Sequence, residues 1–209
     1  MPRLPFLGLL LSLLGFPAAA APVKILVFGD SLVSGYGIKE SEAFPPVLGQ
    51  RLQADGFSVV VANAGVPGNT TAMGLARLEP ALETRPDLVI LELGANDMLN
   101  DVPIRTTQGN LVRLIRKFRA SGARVILTGL AATDQRGAEY KRRFNALYPA
   151  LAKKYALPLY PDFLEGVAND PVLTQAGGLH PTAKGVRAIV ARFAPLVEQT
   201  LDEMGARPR

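Results

Sequence analysis

One serine and one histidine stand where acyl-transfer chemistry would need them. Ser31 comes just after the apolar run Lys24–Phe28 and just before a turn containing Gly35 and Gly37. A serine hydroxyl is a weak nucleophile until a base takes its proton. His180, in Gly178-Leu179-His180-Pro181, is the only histidine in the chain. It is therefore the only side chain whose ordinary proton affinity suits that work near neutral pH. The reaction would also need hydrogen-bond donors for a developing oxyanion. Three are at hand: the backbone N–H of Gly68, the side-chain amide of Asn96 and the N–H of Ser31 itself. Each residue also has a plain structural reading. Ser31 could cap a helix, Gly68 could be a turn glycine after Pro67, Asn96 could bond its own loop, and His180 could be structural.

What the chain lacks narrows the chemistry further. It contains no cysteine, which removes disulfides, thiol nucleophiles and cysteine-based metal sites together. A single histidine rules out a histidine-rich zinc site, and no carboxylate loop for Mg²⁺ or Ca²⁺ is recognisable. Net charge is +5. The densest basic runs, Arg113–Arg116–Lys117–Arg119 and Lys141–Arg142–Arg143, read as solvated helix faces, so no nucleic-acid partner is expected.

The elements that must position these residues follow from periodicity. Lys24–Phe28, Ser58–Ala62, Leu88–Leu93, Arg124–Leu130 and Pro158–Tyr160 are strand-like. Helical spacing covers Ala43–Asp55, Thr71–Glu83, Ile104–Ser121, Arg136–Tyr155 and Thr182–Met204. Pro149 is expected to kink or split the fourth of these and Pro195 to break the last. Strands alternating with helices predict a parallel sheet covered on both faces, a three-layer α/β/α sandwich. Ligands in such folds sit beyond the carboxyl ends of the strands. Ser31, Gly68 and Asn96 each follow a strand, and His180 opens the last helix.

Met1–Ala20 is different in kind. Arg3, the apolar stretch Leu4–Phe16 and the small residues Ala18-Ala19-Ala20 predict a secretory signal peptide cleaved after Ala20. The stretch is shorter than the roughly 20 apolar residues a membrane span needs. The expectation is residues 21–209 as a single domain, periplasmic or secreted, with no stable membrane anchor.

The four blocks together resemble the SGNH (GDSL-type) hydrolase family. They read GDSL at Gly29–Leu32, Gly68 within NAGVPGNTT, GAND at Gly94–Asp97, and GGLHP at Gly177–Pro181. GLARL (Gly74–Leu78) and YPALAKKY (Tyr148–Tyr155) are similar to the bacterial periplasmic arylesterase, acyl-CoA thioesterase I and lysophospholipase group. The resemblance implies a flavodoxin-like, five-stranded parallel sheet in the order 2-1-3-4-5. It implies Ser31 and His180 as catalytic pair and Ser31, Gly68 and Asn96 as oxyanion hole. It also implies small acyl esters and thioesters as substrates, and no metal or cofactor. Asp30 and Asp97 become supporting residues that fix the nucleophile and Asn96 loops through backbone N–H groups.

In one place the chain departs from the family. The family's aspartate, three residues before the histidine, is Gly177 here. Spoiling that partner costs about 10⁴ in turnover in serine proteases. A backbone carbonyl could orient His180, a carboxylate such as Asp170 or Asp162 could replace the aspartate, or the chain could be a weakened enzyme. On this reading Gly177→Asp raises kcat unless something else already orients His180. A non-catalytic binding protein on the same fold and a carbohydrate O-acetyl esterase are the alternatives. Met98, Leu99 and Val172 favour acyl chains over sugars. The glycine fingerprint of dinucleotide binding is incomplete, with Glu40 at its third glycine, and the elbow G-x-S-x-G is absent.

Overall fold

A computed structural model describes residues 21–132 and 136–206. The expected signal peptide, Met1–Ala20, lies outside them. The apolar runs form β1 (Val23–Gly29), β2 (Val59–Gly65), β3 (Leu88–Glu92), β4 (Arg124–Thr128) and β5 (Leu159–Tyr160). They make one parallel sheet in the order β2-β1-β3-β4-β5, as the resemblance implied. Every residue of β3 is buried, as befits a central strand covered on both faces. β2, at an edge, alternates, and Val60 faces solvent.

Between the strands lie α1 (Ser31–Ser34), α2 (Phe44–Ala54), α3 (Thr71–Ala76), α4 (Leu78–Glu83), α5 (Ala95–Leu99), α6 (Ile104–Ala120), α7 (Ala138–Asn145) and α8 (Leu147–Tyr155). The terminal α9 (Ala183–Glu203) follows β5. The step from β1 to β2 runs one way across the sheet, and the steps to β3, β4 and β5 run the other. Right-handed crossovers then put α2 on one face and the later crossover helices on the opposite face. α9 returns to pack on α2, where Phe193 meets Phe44 edge-on at 5.2 Å between ring centroids. On the other face Phe118 of α6 meets Phe28 of β1 at 5.3 Å. Each of these fully buried phenylalanines contributes roughly 1.5–3 kcal/mol. The chain reverses direction between β1 and β3, so their carboxyl ends open the crevice where Ser31 and Asn96 emerge.

Several boundaries differ from expectation. Thr71–Glu83 is two helices, not one, broken at Arg77. Pro80 has no N–H for the carbonyl of Ala76, and its ring would collide with it. Pro149 acts in the same way, dividing α7 from α8 at Ala146. Pro195, by contrast, does not break α9. Buried Phe193, Ala194 and Val197, on both sides of it, hold the helix on the core. β2 also runs on through Asn63-Ala64-Gly65, expected as loop, because β1 extends far enough to pair Phe28 with Ala64 and Gly29 with Gly65.

Candidate active site

β1 ends in Gly29, and Asp30 turns the chain into α1. Asp30 is the N-cap of that helix and accepts the N–H of Leu32 at 3.0 Å. Ser31 is the first helical residue, so its own N–H is one the helix leaves without a partner. His180 Nε2 lies 3.0 Å from Ser31 Oγ, although 149 positions separate them in the chain. The imidazole is half-buried, and burial alone holds its proton affinity below the usual histidine value. A neutral ring can accept the serine proton, so this shift favours the base form.

Asn96 occupies the first turn of α5, not a loop. Its Nδ2 donates to Asp30 Oδ2 at 3.0 Å and to the carbonyl of Asn69 at 3.1 Å. Tyr148 of α8 braces this corner by donating to the Leu93 carbonyl at 3.0 Å. Gly68 has φ +78°, and a side chain there would have open space around it. Glycine is therefore suited to the position by its left-handed backbone, which fits the turn-glycine reading after Pro67.

Of the two supporting aspartates, Asp30 fixes the nucleophile turn as expected and does more, and Asp97 acts elsewhere. Asp30 does hold one backbone N–H, but its other oxygen takes the amide of Asn96. It therefore ties the serine turn to α5. Asp97 does not bond its own loop through its side chain. It accepts the N–H of Thr71 at 2.7 Å, the Thr71 hydroxyl at 2.5 Å and the Thr107 hydroxyl at 3.2 Å. It thereby anchors the start of α3, next to the Gly68 loop, to α5 and α6.

Two residues here escaped sequence reasoning. Glu92 is fully buried at the end of β3, and its Oε2 accepts the N–H of Asp30 at 3.3 Å. Its Oε1 has no hydrogen-bond partner among the described residues. Burial, then the nearby Asp30 charge, pushes its proton affinity well above the usual carboxyl range. Burial likewise pushes Asp30 up to about 6. Arg77, at the break between α3 and α4, donates to the Gly29 carbonyl at 2.7 Å and to Asn69 Oδ1 at 2.6 Å. Its guanidinium lies 3.8 Å from the centre of the Phe28 ring. A signal for Glu92 was present, since a lone acid inside an apolar strand run is rarely buried without a partner.

Ser31, Gly68, Asn96 and His180 line one cavity of about 480 Å³, in the range for small-molecule sites. Met98 and Leu99 line it as expected, together with Leu130 and Leu164. Val172 does not line it. Among the described residues no group of three or more metal-ligating side chains is gathered.

No carboxylate among the described residues is hydrogen-bonded to His180. Asp170 accepts the N–H groups of Val172 and Leu173, at 2.8 and 3.3 Å. Asp162 lines the cavity but accepts the N–H groups of Leu164 and Ala131. Gly177 has φ +98°. An aspartate placed there meets an unfavourable backbone, at a cost of order 1–3 kcal/mol, before it can reach the ring. Any gain from Gly177→Asp is therefore net of that backbone cost.

The comparisons with known proteins agree with this geometry. Residues 27–188 match the model of the GDSL-like lipase/acylhydrolase family. Esterase TesA of Pseudomonas aeruginosa is 37% identical over 184 residues, covering 87% of this chain and 91% of that protein. Thioesterase 1/protease 1/lysophospholipase L1 of Escherichia coli K12 is 39% identical over 181 residues, covering 86% of this chain and 84% of that protein. The crystal structure of AlinE4, an SGNH-hydrolase family esterase, superposes with a TM-score of 0.73 at 38% identity, covering 88% of this chain and 99% of that one.

Proposed function

From the premise that the chain belongs to the GDSL-like lipase/acylhydrolase family and is a hydrolase of carboxylic esters and thioesters, we propose that it works through an acyl-enzyme on Ser31. The carrying observation is the 3.0 Å approach of His180 Nε2 to Ser31 Oγ. His180 takes the hydroxyl proton as Oγ attacks the acyl carbon. The carbonyl oxygen becomes an oxyanion, received by the N–H groups of Ser31 and Gly68 and the amide of Asn96. Both Asn96 hydrogens are engaged in the free enzyme, so one must be shared with the oxyanion or released to it. The imidazolium then protonates the departing alkoxide or thiolate. In the second half, His180 activates a water that releases the acid and restores Ser31.

The substrates we propose are small acyl esters and thioesters, including aryl esters, acyl thioesters and lysophospholipids. Support comes from the apolar wall of Met98, Leu99, Leu130 and Leu164. A carbohydrate O-acetyl esterase would draw instead on Tyr36, Asp162 and Asn169, which line the same cavity, and activity on acetylated sugars in place of longer acyl esters would favour it. A binding protein without catalysis would have no use for a base 3.0 Å from a serine hydroxyl.

Esters of increasing acyl length, assayed beside Ser31→Ala and with a fluorophosphonate probe, test this reading. Hydrolysis and labelling by the parent, both abolished in the variant, are expected. An inert parent that also resists the probe would overturn the proposal. We further propose that Met1–Ala20 directs export and that the enzyme acts in the periplasm or outside the cell. Among the described residues no helix is long and apolar enough to cross a membrane. Cell fractionation with N-terminal sequencing checks this, and recovery of an uncleaved cytoplasmic protein would refute it.

A further inference from the structure

His180 is aligned on Ser31 with no carboxylate bonded to it among the described residues, and from a loop containing Gly177 and Gly178, both at positive φ. Something else must restrain it. The loop closes on itself through an antiparallel bridge between Thr174 and Pro181. At its base, the N–H of Gln175 donates to the His180 carbonyl at 2.8 Å, and the Gln175 carbonyl accepts the N–H of Gly178 at 2.9 Å. The carboxamide continues outward. Its Nε2 donates to the Pro181 carbonyl at 2.8 Å and to the Tyr36 carbonyl, 139 positions away, at 2.8 Å.

The bond to Tyr36 joins the histidine loop to the loop that follows the nucleophile helix. The Tyr36 ring then lies against the imidazole, 4.8 Å between centroids and tilted by 40°. The carboxamide is closely fitted there, since a Cβ on Gly37 would collide with Gln175 Oε1. Both carboxamide hydrogens are spent on this bridge, and no other side chain links the two loops in this way among the described residues.

We propose that Gln175 is a positioning residue that aligns His180 for Ser31 in place of the family's aspartate, by clasping the His180-Pro181 backbone to the Tyr36 loop. This rests on the serine–histidine reading of the site. Gln175 touches neither the substrate nor the ring. It restrains where the ring sits and brings the Tyr36 face against it, but adds no negative charge beside the imidazole. A misplacement of about 1 Å at a reacting group can cost 10²-fold in rate.

The test replaces Gln175 by methionine, which keeps length and volume without either donor, and by glutamate, which keeps shape but turns an acceptor toward two carbonyls. Steady-state kinetics on p-nitrophenyl acetate should show kcat lowered about 10- to 100-fold in both variants, with KM within about twofold. The rate of fluorophosphonate labelling of Ser31 should fall in parallel. The acid limb of kcat/KM should move up toward the ordinary histidine value as the freed ring gains solvent. Labelling and kcat at parental rates in both variants would overturn the proposal. So would losses that merely follow the folded fraction measured by circular dichroism. A parent that does not label at all would instead overturn the serine–histidine reading, which separates the two failures.

Discussion

The base we propose, His180, has a proton affinity set by burial, with no carboxylate among the described residues to raise it. In a serine–histidine–aspartate site the buried acid stabilises the imidazolium and pulls the other way. The imidazole must be neutral to accept the Ser31 proton, so activity should rise with pH through the histidine's value and then level off. We expect the acid limb of kcat/KM to have its midpoint below the ordinary 6.5, leaving the enzyme near its plateau at pH 7. A pH–rate profile measures it directly. A midpoint clearly above 6.5 would reveal an acid facing the ring and would contradict the two-residue arrangement.

At the scale of elements, the site depends on short helices that could not hold their own geometry. α3 and α5 are six and five residues long, far below the length at which an isolated helix persists. Asp97 substitutes for length by gathering Thr71 from α3 and Thr107 from α6 onto α5. Asp97→Ala would leave buried donors without an acceptor, at about 1–3 kcal/mol each. We expect thermal or urea unfolding to show a total loss of at least about 3 kcal/mol. Because the Gly68 loop leads into α3, kcat should fall by about tenfold or more with a smaller change in KM. If stability drops but kcat does not, the Gly68 loop is held by other contacts, such as that of Arg77 to Asn69.

For the whole molecule, the buried carboxyls under the nucleophile turn tie stability to pH. Asp30 is raised from 3.8 to about 6, and Glu92 is raised well above 4.5. Both bind their protons more tightly folded than unfolded, so their contribution is complete below the unfolded values near 4. It is lost as pH rises, through about 6 for Asp30 and further for Glu92. Glu92→Gln removes one titration while keeping the shape. We expect the melting temperature of the parent to decline between pH 5 and 9 and that of the variant to decline less. Parallel curves over that range would show that Glu92 does not titrate with unfolding.

Much of this molecule was legible before any coordinates. Apolar strand runs, helical spacing and the four motif blocks are local patterns, and a parallel α/β sheet leaves few ways to connect them. Even so, the same residue type had different outcomes. Pro80 and Pro149 divide helices whereas Pro195 does not, although all three are exposed; the outcome is set by the packing of the flanking residues and not by the proline itself. The acid in LVILEL was visible, but its pairing with Asp30 was not.

The sequence by itself determined the candidate chemistry: one histidine, no thiol and a serine at a strand end leave acyl transfer as the natural reading. Only the tertiary structure decided how that chemistry is assembled. It put Ser31 beside His180, passed over Asp162 and Asp170 as partners of the ring, and clasped Tyr36 to the histidine loop through Gln175. Local spacing is set by backbone geometry and can be read along the chain. Contacts between residues some 140 positions apart are set by the packing of the whole core, and no local pattern encodes them.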